Sequence, residues 1–162
     1  MATNPYNFPG WALNDLHSRA RPFLDGTPQE NILRINRLHF ELEALWESPY
    51  VWALIVADNA IKALQATGIC AWLTGAWENS YYAFLMDIVE QDPTTIGKDD
   101  VFIAKPIGIC VPFGYQQQCL EQLLFAAQTY GFYLRKTDGH WLLLNVEENT
   151  NPNAPIIQII ER

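Results

Sequence analysis

The chain is short of cations. Ten Lys and Arg stand against eighteen Asp and Glu in 162 residues, a formal net charge of -8 at neutral pH. The basic residues are scattered, and none lies between Arg37 and Lys62 or between Lys62 and Lys98. Neutralising a nucleic-acid backbone takes several cations aimed at phosphates, so no nucleic-acid partner is expected. Stacking bases on aromatics normally happens inside a positive groove, and this scatter supplies none. An anionic membrane surface is disfavoured by the same electrostatics.

Long apolar runs are missing too. A spanning helix needs roughly 20 apolar residues, and the nearest candidate, Val51 to Ala57, stops at Asp58 and Asn59. The opening stretch MATNPYNFPGW has no basic region leading into an apolar run, so no secretory signal is expected. Cysteine is scarce and odd in number: Cys70, Cys110 and Cys119 lie in mostly apolar stretches. They read as reduced, buried thiols, which points to the cytoplasm. Of the three histidines, His17 and His39 have no companions at metal-ligand spacing. No Ser shows a nucleophile-elbow pattern. No cofactor is expected.

Aromatics, by contrast, are plentiful: six Trp, seven Tyr and eight Phe. A chain of this length falls in the one-domain range and can bury roughly two thirds of its extended surface. Residues 1–27 are broken by Pro5, Pro9, Gly10, Pro22 and Gly26, yet they carry Tyr6, Phe8, Trp11 and Phe23. An irregular arm packed on the domain through its aromatics is expected, with a short helix from Leu13 to Ala20.

The next segments read as helices. Thr27-Pro28-Gln29-Glu30 is a helix start, with Pro28 at the first position and Glu30 placed to close a capping box. Ile32, Ile35, Leu38, Leu42 and Leu45 then recur at three and four residues and predict an inward face as far as Glu47. Glu30 with Arg34, and Arg37 with Glu41, are spaced to pair on the exposed side. Ser48-Pro49 repeats the start signal, and a helix from Pro49 to Thr67 is preferred over a strand at 51–56, with Gly68 ending it. A third helix is predicted over Ala76 to Gln91, facing in through Trp77, Tyr81, Phe84, Leu85 and Ile88, and stopped by Asp92-Pro93.

After Thr94 the pattern changes. Val101 to Val111 is β-like, and Pro106 within it implies an edge or a bulge. A helix follows from Tyr115 to Tyr130 with Leu120, Leu123, Leu124 and Ala127 inward, closed by Gly131. Phe132 to Thr137 and His140 to Val146 flank Asp138-Gly139, a strong hairpin signal, and Ile156 to Ile160 reads as a last strand. The expected fold is α+β: a helical N-terminal part of three helices (28–92), packed with a small, mainly antiparallel sheet of β-α-β-β-β order (101–162).

Four sets of residues raise chemical or binding possibilities. Cys119, near the start of a helix, with His140 on a later strand has the elements of a thiol hydrolase; a buried structural cysteine is the plainer alternative. Asp87 and Glu90 share a helix face, and Asp99 folded back could join them around a divalent cation; a solvated acidic surface is the plainer alternative. Gly108 and Gly114 bracket a strand-to-helix turn, but without a following Lys or the full glycine signature they exclude a phosphate loop. Tyr6, Phe8, Trp11, Phe23 and Tyr82 could present an aromatic interface, since Tyr and Trp bring large rigid area and a polar atom.

These readings favour a non-enzymatic protein-interaction or regulatory protein acting on a protein partner or on itself. A cysteine-dependent hydrolase using Cys119 and His140, and a small-molecule binder with an aromatic-lined pocket, are the alternatives.

Overall fold

The computed structural model describes residues 28–45, 48–91, 93, 105–145 and 154–162. The expected N-terminal arm, Thr27 and Asp99 lie outside these residues. Helix α1 runs Pro28–Leu45 and α2 runs Tyr50–Ala66. A three-residue strand β1, Trp72–Thr74, leads into a 3-10 turn, Gly75–Asn79, and a short helix α3, Tyr81–Leu85. Strand β2 (Ile107–Val111), helix α4 (Gln116–Thr129) and strands β3 (Phe132–Thr137), β4 (His140–Asn145) and β5 (Ile156–Glu161) follow.

The α+β class is as expected, but the strand order is not. Among the described residues the sheet has five strands in the order β1-β2-β5-β4-β3. The last strand enters its centre, parallel to β2 and antiparallel to β4. Strand β1, drawn from the helical half, pairs antiparallel with β2 through Trp72 opposite Cys110 and Thr74 opposite Gly108. Three residues are too few to show a two-residue period in sequence. Strand β2 is therefore internal, and Pro106 is not an edge marker: it precedes the first strand residue, where no ladder donor is needed.

Helix α2 is the hub. Tyr50 through Asp58, with Ala60, Ile61 and Leu64, are all buried, so the apolar run at 51–56 is a helix apolar on nearly every side. Its core companions are Ile107, Ile109 and Val111 of β2, Leu143 and Ile157 of the neighbouring strands, and Cys119, Leu123, Ala126 and Ala127 of α4. Both helices thus cover one face of the sheet. Trp52 of α2 packs on Tyr130 and Phe132, with ring centroids 5.9 and 5.3 Å away. The Tyr50 hydroxyl accepts the Ile156 N–H at 3.2 Å, joining the start of α2 to the start of β5.

The β3–β4 hairpin closes as the sequence indicates. Thr137 pairs with His140, and Asp138 and Gly139 have φ of 43° and 83°. Two consecutive positive values define the tight turn whose twist matches a hairpin.

The long helix expected over 76–91 is instead broken at Ser80. Ser80 adopts extended φ and ψ, and its hydroxyl accepts the Ala83 N–H. The N–H groups of Tyr81 and Tyr82 go to the side chain of Glu41 at 2.6 and 3.4 Å rather than back along a helix. The Arg37–Glu41 pair does form, at 3.3 Å, but it is not on the exposed side: the Glu41 carboxylate is wholly buried. The register of α1 is correspondingly rotated. Leu38, Glu41 and Leu45 turn inward while Ile32 and Ile35 stay exposed.

Candidate interaction surface

Helix α1 has apolar residues on two sides, and among the described residues it is the inner side that packs on the rest of the fold. Its inner side meets α3 and the preceding turn. There the Arg37 guanidinium donates to the Asn79 carbonyl at 2.6 Å, and Glu41 accepts from the Ser80 hydroxyl at 2.8 Å. Its outer side shows Leu33 at 62% exposure, Ile32 at 57%, Phe40 at 49% and Ile35 at 41%. The Arg37 guanidinium carbon lies 5.8 Å from the Phe40 ring centroid, a cation–π contact that braces that ring. Scattered exposed apolar residues need no explanation, but four on three consecutive turns of one helix form a patch.

A second set of four lies at the start and outer side of α4. Phe113 and Phe125 are the most exposed large apolar side chains of that region, with Tyr115 and Leu124 beside them in sequence. Leu124, expected to face in, points out because the buried face of α4 runs through Cys119, Leu123, Ala126 and Ala127.

The proposed chemical residues do not converge. Cys119 is fully buried on the helix-covered side, and burial pushes its thiol up to about 12. A thiol in that range is protonated at neutral pH and is a poor nucleophile. His140 alternates with Trp141 along β4, so it shares the side of Leu142 and Leu144, away from α4. The sheet separates the two.

Asp87 and Glu90 are both exposed. Asp87 has a φ of 62° and occupies the left-handed position just after α3. Its N–H donates to the Phe84 carbonyl and the Ile88 N–H donates to Ala83, the paired bonds of a Schellman ending. Its position answers a backbone need. Among the described residues no group of three His, Cys, Asp or Glu is placed to hold a metal ion.

Tyr82 has no surface to present: it is fully buried, and burial followed by the nearby Glu41 charge raises its hydroxyl to about 12. The other aromatic candidates, Tyr6, Phe8, Trp11 and Phe23, lie outside the described residues. The cysteines also divide differently from expectation. Cys119 is buried, but Cys110 is half-buried and Cys70 is exposed, its sulfur accepting the Trp72 indole N–H at 3.3 Å. Cys70 follows the Gly68 turn at the end of α2, where the chain runs along the surface before β1 begins.

The stripe 32-35-38-42-45 does not turn inward as a unit: Ile32 and Ile35 lie on the outer face with Leu33 and Phe40, while Leu38 and Leu45 face the core. Leu33 and Phe40, seven apart, lie on the same side of the helix as each other and outside that stripe.

Among the described residues, no helix is long and apolar enough to cross a membrane. Searches of protein-family models, of curated proteins and of solved structures each returned no match for this chain.

Proposed function

We propose that this chain is a non-enzymatic, cytoplasmic protein that works through contact with another protein surface, in a regulatory or accessory role. The observation that carries the reading is the outer face of α1, where Ile32, Leu33, Ile35 and Phe40 remain exposed while the opposite face is fixed to the rest of the fold. Apolar area held on a rigid element binds at a lower entropic cost than the same area on a mobile loop. The acidic balance of the chain favours a basic partner surface and a faster encounter with it. The separation of Cys119 from His140 across the sheet gives the hydrolase alternative no support.

The test is paired affinity capture from the native cell, using the full chain and its Phe40→Glu variant, read beside the mass of each by light scattering. A partner or an oligomer present with the unaltered chain and lost with the variant supports the reading. A monomer whose captured proteins are the same with and without the substitution overturns it.

A further inference from the structure

We propose that α1 is a releasable strap: it swings off the fold as one unit, letting go of the turn at 79–82, while α2 and the sheet stay folded. This goes beyond the interaction reading and does not depend on what the outer face of α1 binds.

The strap is thinly attached. Glu41 and Leu45 are buried, and Leu38 is partly buried against the core. No other described side chain of α1 is buried. Helix α2, by contrast, is buried along its length, from Tyr50 to Leu64. Few buried apolar groups and a long exposed face are the features of an element that opens below the stability of the whole.

The polar attachment is concentrated at one point. Among the described residues, the side chains of α1 bond to the rest of the fold at 79–82: Arg37 to the Asn79 carbonyl, and Glu41 to the Ser80 hydroxyl and to the Tyr81 and Tyr82 N–H groups. One carboxyl thus holds three groups, so the bonds break together, as a latch does, and do not unzip turn by turn. Release costs less than their number suggests. When α1 leaves whole, the carboxyl and its donors all return to water, and only the small net worth of each bond is lost. The large penalty arises when the acceptor is deleted and its donors stay buried.

The boundary between α1 and α2 is self-contained. The Tyr50 N–H goes to the Ser48 hydroxyl at 3.2 Å, the Val51 N–H to the Ser48 carbonyl at 3.4 Å and the Trp52 N–H to the Pro49 carbonyl at 3.2 Å. The first N–H groups of α2 are satisfied without any group of α1. Its start is also tied to the sheet through the Tyr50 hydroxyl, which accepts from Ile156. Release of α1 leaves these ties in place and frees the N–H groups that start α3.

Amide hydrogen exchange on the full chain, followed by NMR from zero to low urea, tests this. The amides of residues 32–45, Tyr81 and Tyr82 are expected to share one opening reaction. It should be at least about tenfold more frequent than the one that exposes β3 and β4, and less dependent on urea because less surface is exposed. In Glu41→Ala the amides of 32–45 should exchange nearly as in an unfolded chain while those of β3 and β4 stay protected. Equal protection and equal urea dependence across α1 and the sheet overturn the proposal. So does rapid exchange of 32–45 with Tyr81 and Tyr82 as protected as the sheet, because α1 then frays by itself and releases no latch. A Glu41→Ala chain whose sheet is unprotected also overturns it, because the whole fold then needs α1 in place.

Discussion

The carboxylate of Glu41 accepts the backbone N–H of Tyr81 at 2.6 Å, across forty residues of chain. It also accepts from the Ser80 hydroxyl, the Tyr82 N–H and the Arg37 side chain. A helix running through this point would have sent the Tyr81 N–H to Trp77; instead that carbonyl takes the Ser80 N–H. One side chain from α1 therefore ends the 3-10 turn, starts α3 and fixes the inner face of α1. These contacts are all made from the inner face, so the clamp and the proposed interaction surface lie on opposite sides of one helix.

Removing that acceptor should be costly. Glu41→Ala leaves the Ser80 hydroxyl and two backbone N–H groups buried without their acceptor, and removes the carboxylate that lies 3.3 Å from Arg37. Breaking a buried pair from one side typically costs about 3 kcal/mol or more, and each orphaned donor adds to it. Urea unfolding monitored by Trp fluorescence should show a midpoint lowered accordingly. A loss under about 1 kcal/mol would mean that the clamp is replaced by water or a neighbour.

The same carboxyl sets a pH dependence. Its pKa is raised from 4.5, first by burial, against the lowering effects of Ser80, the Tyr81 N–H, Arg37 and the Tyr82 N–H. The folded chain then holds a proton that the unfolded chain has lost above that value. This contribution to stability is complete below pH 4.5 and is lost as pH rises through the folded pKa, by up to about 1.4 kcal/mol per pH unit. Glu41→Gln, neutral at every pH and of the same shape, lacks that slope. Stability of the unaltered chain relative to Glu41→Gln should fall as pH rises from 4.5 towards neutrality. Parallel curves would show that Glu41 is ionised across the range.

Much of the fold was legible where one local signal was enough. Pro28 opens α1, Gly68 and Gly131 follow the ends of α2 and α4, and Asp138-Gly139 closes a hairpin between the predicted strands. What was not legible depended on distant residues. The break at Ser80 is imposed by Glu41, and β1 is a strand only because Gly108 and Cys110 lie beside it. The rotation of α1 has the same origin, since burying Glu41 under α3 forces Ile32 and Ile35 outward. The outer face was half readable: its residues are all in the sequence, but nothing local says that Ile32 and Ile35 turn away from the side that Leu38 and Leu45 bury.

Asp87 should be improvable. A residue with a side chain at φ 62° pays a steric cost that glycine does not, about 1 kcal/mol for an ordinary residue and somewhat less for Asp. Asp87→Gly should therefore raise stability by up to about 1 kcal/mol, and Asp87→Val should lower it. Thermal melts of both variants decide it. A destabilised glycine variant would show that the Asp87 side chain does something the backbone does not require.

Gly108 should resist any side chain. A Cβ there would lie 3.0 Å from both the carbonyl oxygen and the methyl group of Thr74, the residue paired beside it on β1. Backbone cannot give way cheaply, so Gly108→Ala should cost about 1–3 kcal/mol by overpacking and loosen β1. Hydrogen exchange supplies the local reading: the Leu73 N–H, which donates to the Ile88 carbonyl at 2.7 Å, should lose protection more than the amides of β3 and β4. Unchanged protection at Leu73 would place the glycine's role elsewhere.

The three thiols should react in the order of their exposure. Cys70 is exposed, Cys110 half-buried and Cys119 buried, and the Cys119 thiol, pushed up to about 12, has almost no thiolate at neutral pH. Alkylation of the native chain, followed by peptide mass spectrometry, should label Cys70 first and Cys110 more slowly. Cys119 should be labelled only as fast as the chain opens, so its rate should rise with urea in step with unfolding while that of Cys70 barely changes. The Trp72 indole, which donates to Cys70, gives a further check: removing it by Trp72→Phe should alter the Cys70 rate and leave Cys119 alone except through stability. Rapid labelling of Cys119 in the native chain would overturn its burial and restore the one condition that a nucleophilic role at that position requires.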